Sequence, residues 1–331
     1  MVFRWLVNAG LLAIPIGTTI GVLVGIDAQR QASGQEPLFA GGEEGGLWGG
    51  TGPPNTGGSG NPDDDRVTTM NYCQKSFGIH PPSRGQKYIL NPNQWGVTDD
   101  DSGALCMNVT SFNNGTYATN LTAPEFSVTW QYDPGPESQP VHAFPNIMLD
   151  SDILPVDLRR LRSIDLTVEW TYGVGNKPAA RTDESELAAQ DVNANVAIDL
   201  FVDSDKSQST KTSDARYEIM IWFAGFGAAT QPLGLAKGSV GTQTINGTTF
   251  NLYTGRNGVG QQVLTWVPAS RTERFSGDIL PLLSQPTGAA AIDFPADTDY
   301  LGYIAFGTEA FSSKTNVTFS VPNFALDVQT S

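Results

Sequence analysis

From Asn71 to the C-terminus, apolar and polar residues alternate in short runs separated by turn residues. The runs Ser127–Tyr132, Ile164–Tyr172, Asn195–Asp203, Tyr217–Trp222, Thr248–Tyr253, Gln262–Val267, Tyr303–Phe306 and Val317–Val321 read as strands. One stretch departs from this period. Between Ser276 and Ser284, Ser276 stands at a capping position, and Ile279, Leu280, Leu282 and Leu283 supply an apolar face. A short helix is predicted there despite Pro281 in its first turns. Many strands and one helix define an all-β chain of two packed antiparallel sheets, a sandwich or jelly roll. No internal repeat is visible.

The N-terminal part follows other patterns. After Arg4, Trp5 to Ile26 run without a charge, close to the roughly 20 residues that span a bilayer. Two readings stand. Length favours an uncleaved signal anchor over residues 1–26, with Arg4 keeping the N-terminus cytoplasmic and the rest of the chain outside. The other is a signal peptide cleaved after Ala28. Residues 27–70 are Gly, Pro, Asn and acidic residues with almost nothing to bury, and read as a flexible linker. Asp63, Asp64 and Asp65 lack the ligand spacing of a calcium loop and belong to that solvated linker. Residues 71–331 are left as the folded domain.

Composition agrees with strands and turns: 36 Gly and 21 Pro against only 19 Lys and Arg in 331 residues. The net charge of -15, without basic clusters, argues against nucleic acid and against anionic membrane surfaces. Any membrane contact therefore runs through the N-terminal segment alone. A neutral polysaccharide meets no such penalty. The two cysteines, Cys73 and Cys106, have no zinc spacing. In an oxidising compartment they read as one disulfide closing the first hairpin; the alternative is two buried thiols. Export is further supported by Asn-x-Ser/Thr acceptors at Asn108, Asn114, Asn120, Asn246 and Asn316.

Three strands carry acids where propensity disfavours them. With a period of two, Glu218, Met220 and Trp222 share one face of their strand, while Tyr217, Ile219 and Ile221 take the other. In Asn195–Asp203, Val196, Ile198, Leu200 and Val202 form a core face, and Asn195, Ala197, Asp199, Phe201 and Asp203 point away. Tyr303, Ala305, Gly307, Glu309 and Phe311 share a third parity. A lone acid on a strand is usually just solvated. Three of them, each beside aromatic or apolar residues of its own parity, fit the paired carboxylates of glycoside hydrolysis. Other machineries are poorly served: there are two histidines, His80 and His142, and no Gly-x-Ser-x-Gly elbow or phosphate loop. His142 reads as a structural or rim residue. No metal and no cofactor is expected.

At this point the chain resembles glycoside hydrolase family 12, the endoglucanases and xyloglucan-specific endoglucanases, over roughly residues 71–331. The resemblance rests on Asn93-Gln94-Trp95-Gly96, Phe144-Pro145-Asn146, Asn195 through Phe201, Tyr217-Glu218-Ile219-Met220-Ile221-Trp222, Leu252-Tyr253-Thr254-Gly255 and Gly307-Thr308-Glu309-Ala310-Phe311. The two Glu motifs, in this order and separation, are the specific ones. The resemblance implies a jelly roll whose concave sheet forms an open cleft for an extended glucan. It implies Glu218 as nucleophile, Glu309 as general acid/base and Asp199 as support for the nucleophile. Asn93 and Trp95 would contact sugar on the first cleft strand, Met220, Trp222, Asn257 and Phe311 would line the cleft, and Cys73 and Cys106 match a disulfide.

Departures from the family pattern are Ala310 in place of a proline, which suggests a less rigid backbone beside the acid, and an insertion over residues 176–190. The anchor and long linker are also unusual. Gly225 to Ala229 resembles the xyloglucan-specific branch. Retaining hydrolysis is then expected, with carboxyls about 5–5.5 Å apart. The Glu309 pKa should be raised by apolar neighbours and by the charge of Glu218, Asp199 should be coupled to Glu218, and the pH optimum should be acidic. The competing functions are a non-catalytic glycan-binding module and a surface interaction protein on the same sandwich. The chain is expected to act as a monomer.

Overall fold

The computed structural model describes residues 67–98, 101–112, 117–136, 139–286 and 292–331. The expected anchor over 1–26, nearly all of the 27–70 linker and Asn114 lie outside the described residues. In chain order the strands are β1 (Thr68–Tyr72), β2 (Lys87–Asn91), β3 (Gly103–Ser111), β4 (Glu125–Tyr132), β5 (Asn146–Asp150), β6 (Val156–Asp157), β7 (Leu161–Val174), β8 (Asn193–Asp203), β9 (Tyr217–Phe226), β10 (Gly241–Ile245), β11 (Thr248–Arg256), β12 (Gln262–Pro268), β13 (Arg274–Asp278), β14 (Tyr300–Gly307), β15 (Ala310–Ser312) and β16 (Val317–Thr330). Among the described residues there is one α-helix, α1 (Glu184–Ala189), which precedes β8.

Alternation sorts these strands into two sheets. A six-stranded sheet runs β1-β3-β4-β16-β7-β13. A ten-stranded sheet runs β10-β11-β12-β9-β8-β14-β5-β2, with β15 joined to β8 and β6 to β14. Their facing sides interdigitate through aromatic rings. Phe306 of β14 lies 5.5 Å from Phe324 and 6.0 Å from Phe319 of β16, and Phe223 of β9 lies 5.4 Å from Phe275 of β13. This buried layer is the main core of a jelly-roll sandwich. Among the described residues pairing is antiparallel with one exception: β9 and β12 run parallel, Tyr217 opposite Gln262.

Several boundaries differ from the expected ones for local reasons. β1 starts at Thr68, so strand pairing reaches three residues into the segment assigned to the linker. β16 continues past Val321 to Thr330, because Pro322 falls at an irregularity between Ser320 and Asn323, where its missing N–H costs no ladder bond. The helix expected over Ser276–Ser284 does not form. Arg274–Asp278 instead extends the six-stranded sheet as β13, and only Leu280–Leu283 turns, as a 3-10 helix containing Pro281. Asp278 fixes this switch by accepting from the N–H groups of Ile164 and Leu280. The α-helix sits in the 176–190 insertion, where the Asp183 side chain accepts from the Ser185 and Glu186 N–H groups and Leu187 is buried.

The Cys73–Cys106 disulfide is present, with Cα atoms 4.2 Å apart. It ties the end of β1 to β3, its sheet partner, and not a β1–β2 hairpin, because β2 belongs to the other sheet. Among the described residues no helix is long and apolar enough to cross a membrane.

Candidate active site

The outer face of the ten-stranded sheet gathers the three acids. Across β14, β8 and β9, Tyr303, Phe201 and Glu218 form one row, and Ala305, Asp199 and Met220 form the next. Asp199 is thus the diagonal neighbour of Glu218, within reach for electrostatic coupling. Glu309 follows the end of β14. Gly307 lets the chain pass close to Pro145 there, since a Cβ at this position would lie 2.3 Å from the Pro145 carbonyl oxygen.

Asn195 then brackets the acid. Its side-chain oxygen accepts from the Glu309 N–H at 2.9 Å, and its Nδ2 donates to Glu309 Oε2. Thr308 Oγ1 donates to the Asn195 carbonyl, locking the same corner. Ala310 does not loosen this segment as its replacement of proline suggested. It is wholly buried, and its N–H, which proline would lack, donates to the Ala143 carbonyl at 2.9 Å.

Glu218 has its own partner. Asn257, just after β11, donates through Nδ2 to Glu218 Oε2 at 3.1 Å and to Gln261 Oε1 at 2.8 Å. Gln261 returns a backbone N–H to Asn257 Oδ1 and ties its own amide to the carbonyls of Thr212 and Ala215. The Asn257 side chain therefore has its orientation set from both ends.

An apolar cluster separate from the main core surrounds the carboxyls: Trp95, Phe144, Ala197, Met220, Trp222 and Phe311 among its members. Glu218 and Asp199 are each 2% exposed and Glu309 is 4% exposed. Trp95 is not on the first cleft strand. Pro92 ends β2 after Asn91, Asn93 takes a left-handed conformation with φ 43°, and Trp95 follows in the turn, folding over the sheet from its edge. Asn93 is half-buried and holds this turn by accepting from the Phe144 N–H. His142 is structural: buried, stacked 4.7 Å from Tyr132 and bonded through Nδ1 to the Phe311 carbonyl.

Burial sets the protonation of the three acids. The Glu218 carboxyl is pushed up to about 7 by loss of solvent, against the lowering hydrogen bond from Asn257. Loss of solvent, and then the charge of Glu218, push Glu309 up to about 8, against the hydrogen bond from Asn195. Asp199 is raised well above the usual carboxylate range by burial and by both neighbouring acids. The causes differ: the Asn257 hydrogen bond favours the charged form of Glu218, whereas the Glu218 charge disfavours the charged form of Glu309. Asp199 Oδ1, Glu218 Oε1 and the indole nitrogens of Trp95 and Trp222 are buried there without a protein partner. Among the described residues no group of His, Cys, Asp and Glu is arranged to hold a metal ion.

All nine residues expected at the site except Asn93 are buried around this face, and Asn93 supports its edge. Reasoning from the sequence assigned no role to Asn195 or Gln261. Asn195 carried a signal, the parity it shares with Asp199; Gln261 carried none. Of the acceptor asparagines, Asn120, Asn246 and Asn316 are exposed, and Asn108 is half-buried on β3 beside Asn71.

Comparison with known proteins gives a consistent set of likenesses. The model of Glycosyl hydrolase family 12 matches residues 86–329. Xyloglucan-specific endo-beta-1,4-glucanase A of Emericella nidulans is 31% identical over 241 residues, 73% of this chain and 85% of that protein. The enzyme of the same name from Aspergillus niger is 28% identical over 242 residues, 73% of this chain and 86% of that one. Among solved structures, endoglucanase 3 of Trichoderma harzianum superposes with a TM-score of 0.61 at 25% identity, covering 79% of this chain and 98% of that one. A family 12 xyloglucanase from Bacillus licheniformis shares the fold, with a TM-score of 0.57 at 17% identity over 78% of this chain and 100% of its own.

Proposed function

Since this chain belongs to glycosyl hydrolase family 12, and is a glycoside hydrolase, we propose that it cleaves β-1,4-glucan chains internally, with retention, using Glu218 and Glu309. The observation that carries the assignment is the split between two buried carboxyls. Asn257 favours the ionised form of Glu218, while burial and the Glu218 charge keep the proton on Glu309.

A Glu218 carboxylate oxygen attacks the anomeric carbon as the bond from that carbon to the glycosidic oxygen breaks, and the Glu309 proton passes to the leaving oxygen. The Glu309 carboxylate then takes a proton from water. The water oxygen attacks the anomeric carbon and breaks its ester with Glu218, returning both residues to their starting states. Carboxyls about 5–5.5 Å apart suit this double displacement. Asp199, held neutral by burial and then by its neighbouring acids, steadies Glu218 as its charge comes and goes. Trp95, Trp222, Met220 and Phe311 supply the apolar surface against sugar rings, and Asn93 orders the rim. Binding alone would need the aromatics but not the acids, which disfavours a non-catalytic module.

Xyloglucan is the substrate this reading favours, supported by the relatives named for it and by the Gly225–Ala229 segment. The protein is extracellular, in keeping with its disulfide. Residues 1–26 would direct export and, if retained, anchor an otherwise monomeric enzyme; Asn120, Asn246 and Asn316 would carry glycans. The test is reducing-end release from xyloglucan, mixed-linkage β-glucan and carboxymethyl cellulose by the wild type and Glu218→Gln. Release abolished by the substitution is expected. Equal release by both proteins would refute the assignment.

A further inference from the structure

The strand that carries Glu218 is paired on one side with a parallel neighbour. No hairpin joins β9 to β12, so no tight turn sets their register. Gln261, the residue before β12, makes the junction instead. Its Nε2 donates to the Thr212 carbonyl at 2.9 Å and to the Ala215 carbonyl at 2.7 Å, both in the loop that leads into β9. Beside it the Gln262 N–H donates to the Arg216 carbonyl at 3.0 Å, and the parallel ladder starts from there. Gln261 is 5% exposed, so these bonds form away from water.

The same side chain reaches the nucleophile through one more amide. Asn257 Nδ2 directs one N–H to Glu218 Oε2 at 3.1 Å and the other to Gln261 Oε1 at 2.8 Å. Asn257 Oδ1 accepts from the Gln261 backbone N–H at 3.0 Å. Both N–H groups of the Asn257 amide are thereby used. Turned over by 180°, that amide would set its oxygen against Glu218 Oε2 and Gln261 Oε1, and its NH2 against the Gln261 N–H. Three attractive contacts would become repulsive.

The other groups around Glu218 offer it no such donor. Asp199 on β8 and Glu309 after β14 are acids that feel its charge. Tyr303, in the same row on β14, keeps its hydroxyl protonated by burial, and β12 presents Val263. Arg216 and Arg256, at the ends of β9 and β11, are paired with Asp293 at 3.0 Å and 3.9 Å. Among the described residues the Glu218 carboxyl has Asn257 as its side-chain hydrogen-bond partner on Oε2, and Oε1 is buried without one. The direction in which Asn257 points is therefore decisive. We propose that Gln261 is a positioning residue: it ties β12 to the loop before β9 and locks Asn257 so that a donor, and not an acceptor, meets the nucleophile. This rests on the hydrolase reading above and deepens it, extending the support of Glu218 to a side chain that bonds to neither catalytic acid.

The test compares kcat/KM against pH for the full-chain wild type, Gln261→Met, Asn257→Ala and the double variant on one soluble β-glucan. Gln261→Met keeps the length of the side chain and loses its three hydrogen bonds. Its acid limb should lie about half a unit above that of the wild type, the sign expected when ionised Glu218 loses a fixed donor. In the Asn257→Ala background the same change should move the limb no further, since Gln261 acts through Asn257. A role confined to folding would lower the melting temperature and leave the limb in place. An unmoved limb in folded Gln261→Met, or a shift that adds in full to that of Asn257→Ala, would overturn the proposal. A second measurement needs no substitution at Gln261: the side-chain amide nitrogen resonances of the 15N-labelled wild type followed with pH. The Asn257 and Gln261 signals should move with one shared midpoint, because hydrogen bonds in a chain polarise one another, and both movements should vanish in Glu218→Gln. A Gln261 signal indifferent to Glu218 would also overturn the proposal. A wild type that cleaves no β-glucan yet shows the shared midpoint would sink the hydrolase reading and leave the Gln261–Asn257 lock standing.

Discussion

The two faces of β9 obey opposite rules. Toward the six-stranded sheet, Tyr217, Ile219, Ile221 and Phe223 join the main apolar core, and polar contacts gather at the strand end, where the Tyr217 hydroxyl donates to Asp293 and the Arg216 guanidinium lies 4.9 Å from the Tyr217 ring. Toward the outer face, Glu218 and Trp222 are buried just as deeply, yet each leaves a polar atom without a protein partner. Burial on the first face stabilises the fold. On the second it destabilises the fold, because carboxyls are kept from water without full hydrogen bonding. One strand thus carries stability on one side and reactivity on the other, and substitutions should separate the two.

The largest separation is expected at the nucleophile. Glu218→Gln should lower kcat by about 10⁴-fold or more, with folding intact, as read by reducing-end release beside a melting curve. Glu309→Gln should cost less, about 10²–10⁴-fold, and the loss should shrink on substrates whose leaving group departs without a proton. Ile221→Ala, on the inner face, should do the reverse. It should remove about 2–5 kcal/mol of stability in denaturant titration while the molecules still folded retain near-normal kcat.

A smaller effect appears in the pH dependence of stability. Glu218 and Glu309 hold protons more tightly in the folded chain than at their ordinary value of 4.5. Folded protein therefore carries more bound protons between about 4.5 and 8, and its stability falls as pH rises through that window. The melting temperature should drop by roughly 2–4 °C for each kcal/mol lost, and Glu218→Gln should flatten the dependence. The smallest effect is expected at Asn257. Its bond favours ionised Glu218, so Asn257→Ala should move the acid limb of the pH–rate profile upward by about half a unit to one unit. The alkaline limb belongs to Glu309. A profile flat between about pH 4 and 8 would contradict both assignments.

The same contrast explains what could be read from the sequence. Alternation along β8 and β9 reveals which residues share a face, so Asp199, Glu218, Met220 and Trp222 were legible together. Glu309 was legible through its parity with Tyr303 and Ala305. Period two says nothing about what approaches a face from elsewhere in the chain. The turn that swings Trp95 over the acids depends on the left-handed Asn93, and the Asn257–Gln261 exchange depends on a loop closing on itself. The misplaced helix has a similar cause. The apolar spacing of Ile279 to Leu283 suits a helix, but pairing of β13 with β7 and the bonds to Asp278 outweigh that local preference. The burial of the acids was equally invisible, because their apolar neighbours include Trp95 and Phe144 from other parts of the chain.

The central claim is that Glu218 becomes covalently bonded to the sugar. Incubation with a β-linked glucosyl or cellobiosyl fluoride bearing fluorine in place of the 2-hydroxyl, which slows breakdown of the intermediate, followed by proteolysis and mass spectrometry, tests it directly. A single added glycosyl group on the peptide containing Glu218, absent in Glu218→Gln, is the predicted result. Labelling on Glu309, or turnover with inverted product and no labelled peptide, would contradict it.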